Sequence, residues 1–160
     1  MELDLNQKKI QESLQNAVII SRLPLDMQER VRKHARLHTL KEGETLFSQG
    51  DEVHAFYLTL SGSIKLYRLS PEGQEKIIEI SSPGQLFAEA LMFMDHPHFP
   101  VHASALTNAE VIAIDASDFA SMLRTSVDAC FLLMADMSQR LHHLIKEIDD
   151  LSLNSGCLLY

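Results

Sequence analysis

The spacing of hydrophobic positions changes twice along the chain and divides it into three parts. The first part has helical spacing: LDLNQKKIQESLQ places Leu3, Ile10 and Leu14 on one side. In SRLPLDMQERVRKHA, Pro24 stands where a helix start tolerates proline. The pattern therefore predicts helices over residues 4–35.

The second part, from about residue 36 to 115, consists of short apolar runs rich in β-branched and aromatic residues. Clear examples are TLFSQG, AFYLTLSG and EVIAID, and glycines recur between such runs. Strands of this length separated by turn signals are typical of an antiparallel sandwich or barrel. In SGSIKLYRLSPEGQEKIIEI, apolar residues alternate on both sides of SPEG, which predicts a β-hairpin turning through these four residues.

The third part is helical again and carries a heptad pattern. Asp115 and Ser126 stand where residues that cap helices are expected, before a short and a long helical segment. In the long segment, apolar residues repeat every seven positions without a charge. The two series are Val127, Met134, Leu141 and Ile148, and Cys130, Met137, Leu144 and Leu151. A strict seven-residue period favours a coiled-coil seam, so we predict a homodimer rather than a helix packed only on its own domain.

Composition and charge narrow the class of protein. Hydrophobic residues make up 46% of the 160, which is enough for a core in one domain. The formal net charge is −8, whereas a DNA-binding domain usually carries the opposite sign. No apolar run is long enough to span a bilayer and no signal segment is evident, so we expect no membrane partner and a cytoplasmic protein.

The run GETLFSQGDEVHAFYLTLSGSIKLYRLSPEGQEKIIEISSPGQLFAEALMF resembles the sensor domain of the CRP/FNR family of bacterial transcription factors. The resemblance is carried by G-D-x-x-x-x-F-Y-x-x-x-S-G at residues 50–62 and by the F-x-E motif at 87–89. Within the family, FAEALMFMDHP and SPEGQEKI are most similar to the dissimilatory nitrate respiration regulators, which are heme-dependent nitric oxide sensors.

The resemblance implies an α+β fold with a cyclic-nucleotide-binding-like, antiparallel β-roll of the jelly-roll kind. We expect N-terminal helices at 1–35, the β-roll sensor domain at 36–115, and a short helix with the dimerisation helix at 116–153. Residues 154–160 would be the start of a helix-turn-helix domain absent from this chain, so DNA would be bound only through that missing domain. The implied mechanism is allosteric: effector binding between roll and long helix changes how the two helices of a dimer pack, and no catalysis is expected.

The segment after the F-x-E motif departs from the cyclic-nucleotide-binding pattern. In members that bind cyclic nucleotides, an arginine followed by serine or threonine neutralises the phosphate, and alignment puts Phe99 and Pro100 there. Because burying an unpaired phosphate is costly, this change opposes cAMP binding. The glycine of the motif is also replaced by Ala88. Its methyl group crowds a position where glycine lets backbone amides reach the ligand, so this change opposes cAMP binding as well.

The resemblance then implies an apolar pocket for heme as cofactor. The residues that we expect to line it are Phe87, Glu89, Leu91, Met92, Phe99 and His102. From the residues alone, the same apolar side chains are more typical of a plain core than of a cofactor pocket.

Two alternatives stay open. One is a cyclic-nucleotide-binding domain with altered phosphate recognition, using Glu89 for the ribose and Lys76 for the phosphate. The other is a cupin-like metal-binding protein, because His96, His98 and His102 in DHPHFPVH follow the spacing of a cupin metal motif. Two cysteines exclude an iron–sulfur site within the chain, and we predict no metal ligands and no catalytic residues.

Overall fold

The computed structural model describes residues 5–154 and begins with three helices. They are α1 (Leu5–Asn16), α2 (Val18–Ser21) and α3 (Leu25–Lys33). Pro24 is the residue that precedes α3, as the sequence predicts. In α1, Ile10 and Leu14 are buried, which accounts for the apolar side of this helix.

Eight strands follow and form two antiparallel sheets of four strands each. Their bounds are β1 (Ala35–Leu40), β2 (Thr45–Phe47), β3 (Ala55–Ser61), β4 (Ile64–Leu69), β5 (Glu75–Ser81), β6 (Leu86–Phe87), β7 (His102–Ala105) and β8 (Ala109–Asp115). One sheet has the order β1-β8-β3-β6 and the other β2-β7-β4-β5. The predicted fold class, an antiparallel β-roll flanked by helices, is confirmed.

The predicted hairpin is formed by β4 and β5. The amide of Gly73 donates to the carbonyl of Ser70 (2.8 Å), which closes the SPEG turn. Leu66 pairs with Glu79 and Tyr67 with Ile77, so Ile78 is an extra residue at a β-bulge. The bulge lies in β5, at the edge of its sheet, where Ile77, Ile78 and Ile80 are exposed.

The core of the roll is aromatic and lies between the two sheets. The rings of Phe47, Tyr57, Phe87 and Phe99 are buried together and stack on one another. A buried pair of hydroxyls, Thr59 Oγ1 and Ser81 Oγ, lies 2.8 Å apart and joins β3 of one sheet to β5 of the other. Buried polar atoms of this kind are tolerated because they satisfy each other.

Helix α4 (Ala116–Arg124) is held at its start by the predicted cap and by an ion pair. The amide of Asp118 donates to Asp115 Oδ1 (2.8 Å), which satisfies one of the unpaired amides of the first turn. The guanidinium of Arg30 in α3 donates to Asp118 through Nε and Nη2, at 3.1 and 2.8 Å from Oδ1. These contacts tie α4 to the N-terminal helices.

The chain divides into two compact units, one up to Met122 and one from Leu123 onwards. The second unit is mainly α5 (Val127–Asn154), which Ser126 caps by accepting the amide of Ala129 (3.1 Å). Within residues 5–154, no helix combines the length and the apolar character needed to cross a membrane. Apart from Asn154, the predicted segment 154–160 lies outside the described residues.

Candidate functional site

The predicted binding cassette runs from β6 through a short 3-10 helix (Glu89–Phe93) to the start of β7. Ala88 begins the helix with φ 64° and ψ 8°, in the left-handed region that a glycine adopts more easily. The sequence predicts only that the methyl group of Ala88 opposes cAMP binding; the backbone conformation is a separate finding. Ala88 therefore has a backbone conformation that is typical of glycine and that strains an alanine.

Three of the six predicted cofactor-binding residues are core residues of the roll. Phe87, Leu91 and Phe99 are 2%, 9% and 4% exposed and pack in the same cluster. Phe99 lies against Phe47 with ring centroids 3.6 Å apart, and Phe87 stacks on Tyr57 at 5.3 Å. Their side chains therefore fill the interior instead of lining an open cavity.

Glu89 and Met92 are half-buried and lie on the 3-10 helix. Burial and the negative charge of Glu89 together raise the pKa of Glu79. Glu79 reaches this position because it pairs with the buried Leu66 across the hairpin and so faces the same side of the sheet. The carboxylate of Glu79 on β5 is thus near enough to that of Glu89 in the cassette for their charges to interact, an arrangement that disfavours an anionic ligand.

His102 lies on the outer face of its sheet. It pairs with Tyr67 across β7 and β4 and stacks on that ring at 5.2 Å, while its neighbour Ala103 points into the core. The Nδ1 atom of His102 accepts the amide of Gln49 at 3.1 Å. A neutral ring that accepts at Nδ1 carries its proton on Nε2, so neither nitrogen offers a lone pair to a metal ion.

The three histidines of the cupin-like spacing do not come together. His96 and His98 line a small cavity with residues 52–54, whereas His102 stacks on Tyr67. Among residues 5–154, no group of three or more His, Cys, Asp or Glu side chains could hold a metal ion. His96 and His98 are exposed, as expected for loop histidines.

Helix α5 presents the predicted heptad stripe as an exposed surface of the single chain. Seven of its eight predicted interface residues are between 47% (Met137) and 70% (Val127) exposed. They are Val127, Met134, Met137, Leu141, Leu144, Ile148 and Leu151. Phe131 and Ile145 are exposed as well and widen the stripe. Cys130 differs, because it is half-buried and its thiol donates to the carbonyl of Leu123 at 3.2 Å.

Two basic side chains lie near the cassette, and the sequence singles out Lys76 but not Arg68. Arg68 and Lys76 are directly paired across β4 and β5, and Arg68 is two residues from Leu66 on the same face of its strand. The Nε atom of Arg68 donates to the carbonyl of Pro100 at 3.2 Å. The alternation of β4 could have indicated the direction of Arg68, but its contact with residue 100 depends on the tertiary fold.

Comparison with known proteins places this geometry in a family. The sequence pattern of the family described as "Cyclic nucleotide-binding domain" matches residues 37–126. The chain is 32% identical to the cyclic AMP receptor protein of Thermus thermophilus over 111 residues, which are 69% of this chain and 51% of that protein. It spans about half the length of the curated relatives that it matches first.

Solved structures give the same assignment. The sensor domain of the transcriptional regulator DNR from Pseudomonas aeruginosa superposes with a TM-score of 0.75 at 35% identity, covering 88% of this chain and 94% of that one. A longer structure of DNR superposes with a TM-score of 0.81 at 35% identity, covering 96% of this chain and 66% of that one. The chain therefore belongs to the cyclic nucleotide-binding domain family, and within it to the sensor domains of CRP/FNR-type regulators.

Proposed function

We propose that this chain is the effector-sensing and dimerisation part of a bacterial transcription factor that responds to nitric oxide through heme and controls denitrification genes. The observation that carries the proposal is the likeness to the DNR sensor domain, 35% identical over most of both chains. The replacement of the phosphate arginine by Phe99, whose ring is buried, supports an effector other than a cyclic nucleotide.

Heme is proposed from this likeness alone. The six residues that were expected to hold it do not form one cradle. Phe87, Leu91 and Phe99 fill the roll, and His102 faces the other side of its sheet. A heme cannot occupy space that these rings already fill. Heme binding by this chain therefore requires the Phe47–Phe99 stack to open, or a site outside the six residues.

We propose further that the chain dimerises through α5 of two copies. A stripe of at least seven exposed apolar side chains on one helix is costly in water and is relieved when a second helix covers it. Met134 and Met137 lie within the stripe, and their flexible side chains allow a seam to repack between two arrangements. Effector binding then acts by favouring one arrangement over the other.

DNA binding is proposed only for a C-terminal domain that follows α5 in the whole regulator, which would act in the cytoplasm. The net charge of −8 opposes binding of this chain to a phosphate backbone. No catalytic step is proposed, and the matched relatives named above are regulators.

A hemin titration followed by absorption spectroscopy tests the heme proposal. We expect a Soret band that saturates near one heme per chain and shifts when the reduced complex meets nitric oxide. His102→Ala serves as the matched variant, and it should leave the band unchanged because the Nδ1 atom of His102 already accepts the Gln49 amide. No saturable band would remove heme from this domain.

A second candidate function, cyclic nucleotide binding with altered phosphate recognition, is favoured by one observation. Arg68 and Lys76 are cross-strand neighbours on the side of β4 and β5 that bears Leu66 and Glu79, so they could supply the missing positive charge. In this case the chain would bind cAMP or cGMP, and Arg68→Ala with Lys76→Ala would abolish binding. A flat titration with both nucleotides would exclude this function and leave the first.

A further inference from the structure

A cavity of about 280 Å³ lies among the three N-terminal helices, within the first unit. The described residues of its walls belong to α1, α2 and α3, whereas the candidate effector cassette runs from β6 to β7. Ligand pockets in proteins usually measure about 300–1,000 Å³, so this cavity is at the lower end of that range. It therefore suits a small molecule.

The inner wall of the cavity is apolar. Leu14 of α1 and Ile20 of α2 line it and are 3% and 2% exposed. Leu25, the first residue of α3, lines the same cavity but is 82% exposed, which places it at the mouth. A branched apolar group that entered here would contact the two buried side chains and would also remove part of Leu25 from water.

Two opposite charges stand one helical turn apart on the α3 wall. An Nη2 atom of Arg32 lies 3.4 Å from Oε1 of Glu29, and the two side chains are 34% and 56% exposed. An exposed pair of this kind contributes little to stability, so a ligand can replace it at small cost. A guanidinium binds a carboxylate through two parallel hydrogen bonds, and a carboxylate binds an ammonium group. The wall therefore has a partner for each charge of a zwitterion.

Glutamine side chains supply further polar contacts. The Nε2 atom of Gln28 donates to the carbonyls of Ser21 (3.0 Å) and Leu23 (2.8 Å), which fixes this side chain in the wall. A ligand can therefore meet Gln28 only at its carbonyl oxygen, which accepts hydrogen bonds. Gln11 and Gln15 are one turn apart on α1 and line the same cavity. An ammonium group, which donates three hydrogen bonds, finds its acceptors among Glu29 and these amides.

We propose that this cavity binds a free apolar α-amino acid of the size of leucine. Its carboxylate would pair with Arg32, its ammonium group with Glu29, and its side chain would lie against the apolar inner wall. A simple anion would be repelled by Glu29 and a simple cation by Arg32, so a zwitterion is the class of ligand that suits both charges. The site does not rest on the proposed function, because it is built from the N-terminal helices and not from the cassette.

Titration of the isotope-labelled whole chain with L-leucine, followed by NMR, tests the proposal. We expect the side-chain amide signals of Gln11, Gln15 and Gln28 to shift and saturate. The melting temperature should rise with leucine, because the ligand binds only the folded helices. Isocaproate and isopentylamine keep the branched chain but each lack one charge, and they should bind roughly tenfold more weakly or worse. Equal binding by either analogue would overturn the zwitterion, and the absence of a saturable shift with leucine would refute the site.

Substitutions at the mouth separate the site from the fold. Arg32→Gln and Glu29→Gln should each weaken leucine binding roughly tenfold, because each removes a charged hydrogen-bonding partner. The ligand-free melting temperature should stay the same, since the pair is exposed. The matched control is Lys33→Gln, which removes an exposed positive charge one residue along α3 and outside the described cavity lining. Its affinity should be unchanged, and equal weakening by Lys33→Gln and Arg32→Gln would mean that only net charge matters and that the site is wrong.

Discussion

The ring of Phe99 lies flat against that of Phe47, with centroids 3.6 Å apart and planes 9° apart. In relatives that bind cyclic nucleotides, an arginine is expected at the position of Phe99. Here the position has become part of the hydrophobic core, and the aromatic side chain completes a cluster that also includes Tyr57 and Phe87. The substitution that is predicted to oppose phosphate recognition therefore also supplies a packing contact of the core.

Restoring a positive charge at residue 99 should destabilise the fold rather than restore nucleotide binding. Phe99→Ala should lower the free energy of unfolding by about 3–5 kcal/mol, as for other buried aromatics. Phe99→Arg should lower it at least as much, because it buries an unpaired charge. Denaturant unfolding measures both. Phe93→Arg on the exposed end of the same cassette is the control, with a change within about 0.5 kcal/mol. A stable Phe99→Arg protein that binds cAMP would contradict this account.

If the chain dimerises through α5 as proposed, Leu141→Asp should yield monomers. Leu141 is 60% exposed in the single chain and lies at the middle of the heptad stripe, so the substitution would put two charges into a paired seam. Light scattering gives the mass directly. His142→Asp introduces the same side chain one position away, off the stripe, and should remain dimeric. The seam would be refuted by a dimeric Leu141→Asp protein.

Glu79 should make the fold less stable as the pH rises. Burial and the charge of Glu89 raise the pKa of Glu79 in the folded state, so the folded protein holds this proton to higher pH than the unfolded chain. Stability therefore falls as pH rises from the unfolded pKa, about 4.3 for glutamate, through the folded pKa.

Glu79→Gln removes this effect. The variant should melt at a higher temperature than the wild type at pH 8, and the difference should shrink towards pH 4, where the wild-type carboxyl is protonated. Melting curves at several pH values measure it. Glu72→Gln, in the exposed turn of the same hairpin, should show no such dependence. A constant difference at all pH values would argue against the charge of Glu79 as the cause.

Gly62→Ala should be far more destabilising than the same change at Gly73. Both glycines have positive φ, 72° and 83°, which costs an alanine roughly 1–2 kcal/mol. A Cβ at Gly62 would in addition lie 2.2 Å from the carbonyl oxygen of Asn108, whereas the space around Gly73 is open. Guanidinium unfolding of the two variants tests this, and equal losses would mean that the β3–β4 turn and the β7–β8 turn can separate at little cost.

Local patterns were sufficient for most of the architecture. The hairpin through SPEG, the caps at Asp115 and Ser126 and the heptad of α5 each depend on residues close together in sequence. The resemblance carried by residues 50–62 and 87–89 added the β-roll. These features could be predicted because turn geometry, capping and helical periodicity are short-range properties.

The candidate site was harder to predict from the sequence than the architecture. Phe87, Leu91 and Phe99 were expected in a pocket but lie in the core, since an apolar residue has the same pattern in either place. Glu79 could not be singled out, because its direction depends on the bulge between Leu66 and Tyr67 that shifts the register of β5. A one-residue change of register exchanges the inner and outer faces of a strand.

The sequence by itself determined the strands, the helices and the apolar heptad stripe of α5, and it predicts that Phe99 stands where cyclic-nucleotide-binding members have an arginine. Only the tertiary structure decided that His102 faces outwards with Nδ1 accepting a hydrogen bond, and that His96 and His98 meet Glu52 and His54. The physical reason is that these relationships depend on hydrogen bonds between segments more than forty residues apart. Such pairing is fixed by the packing of the whole roll and leaves no local periodicity in the chain.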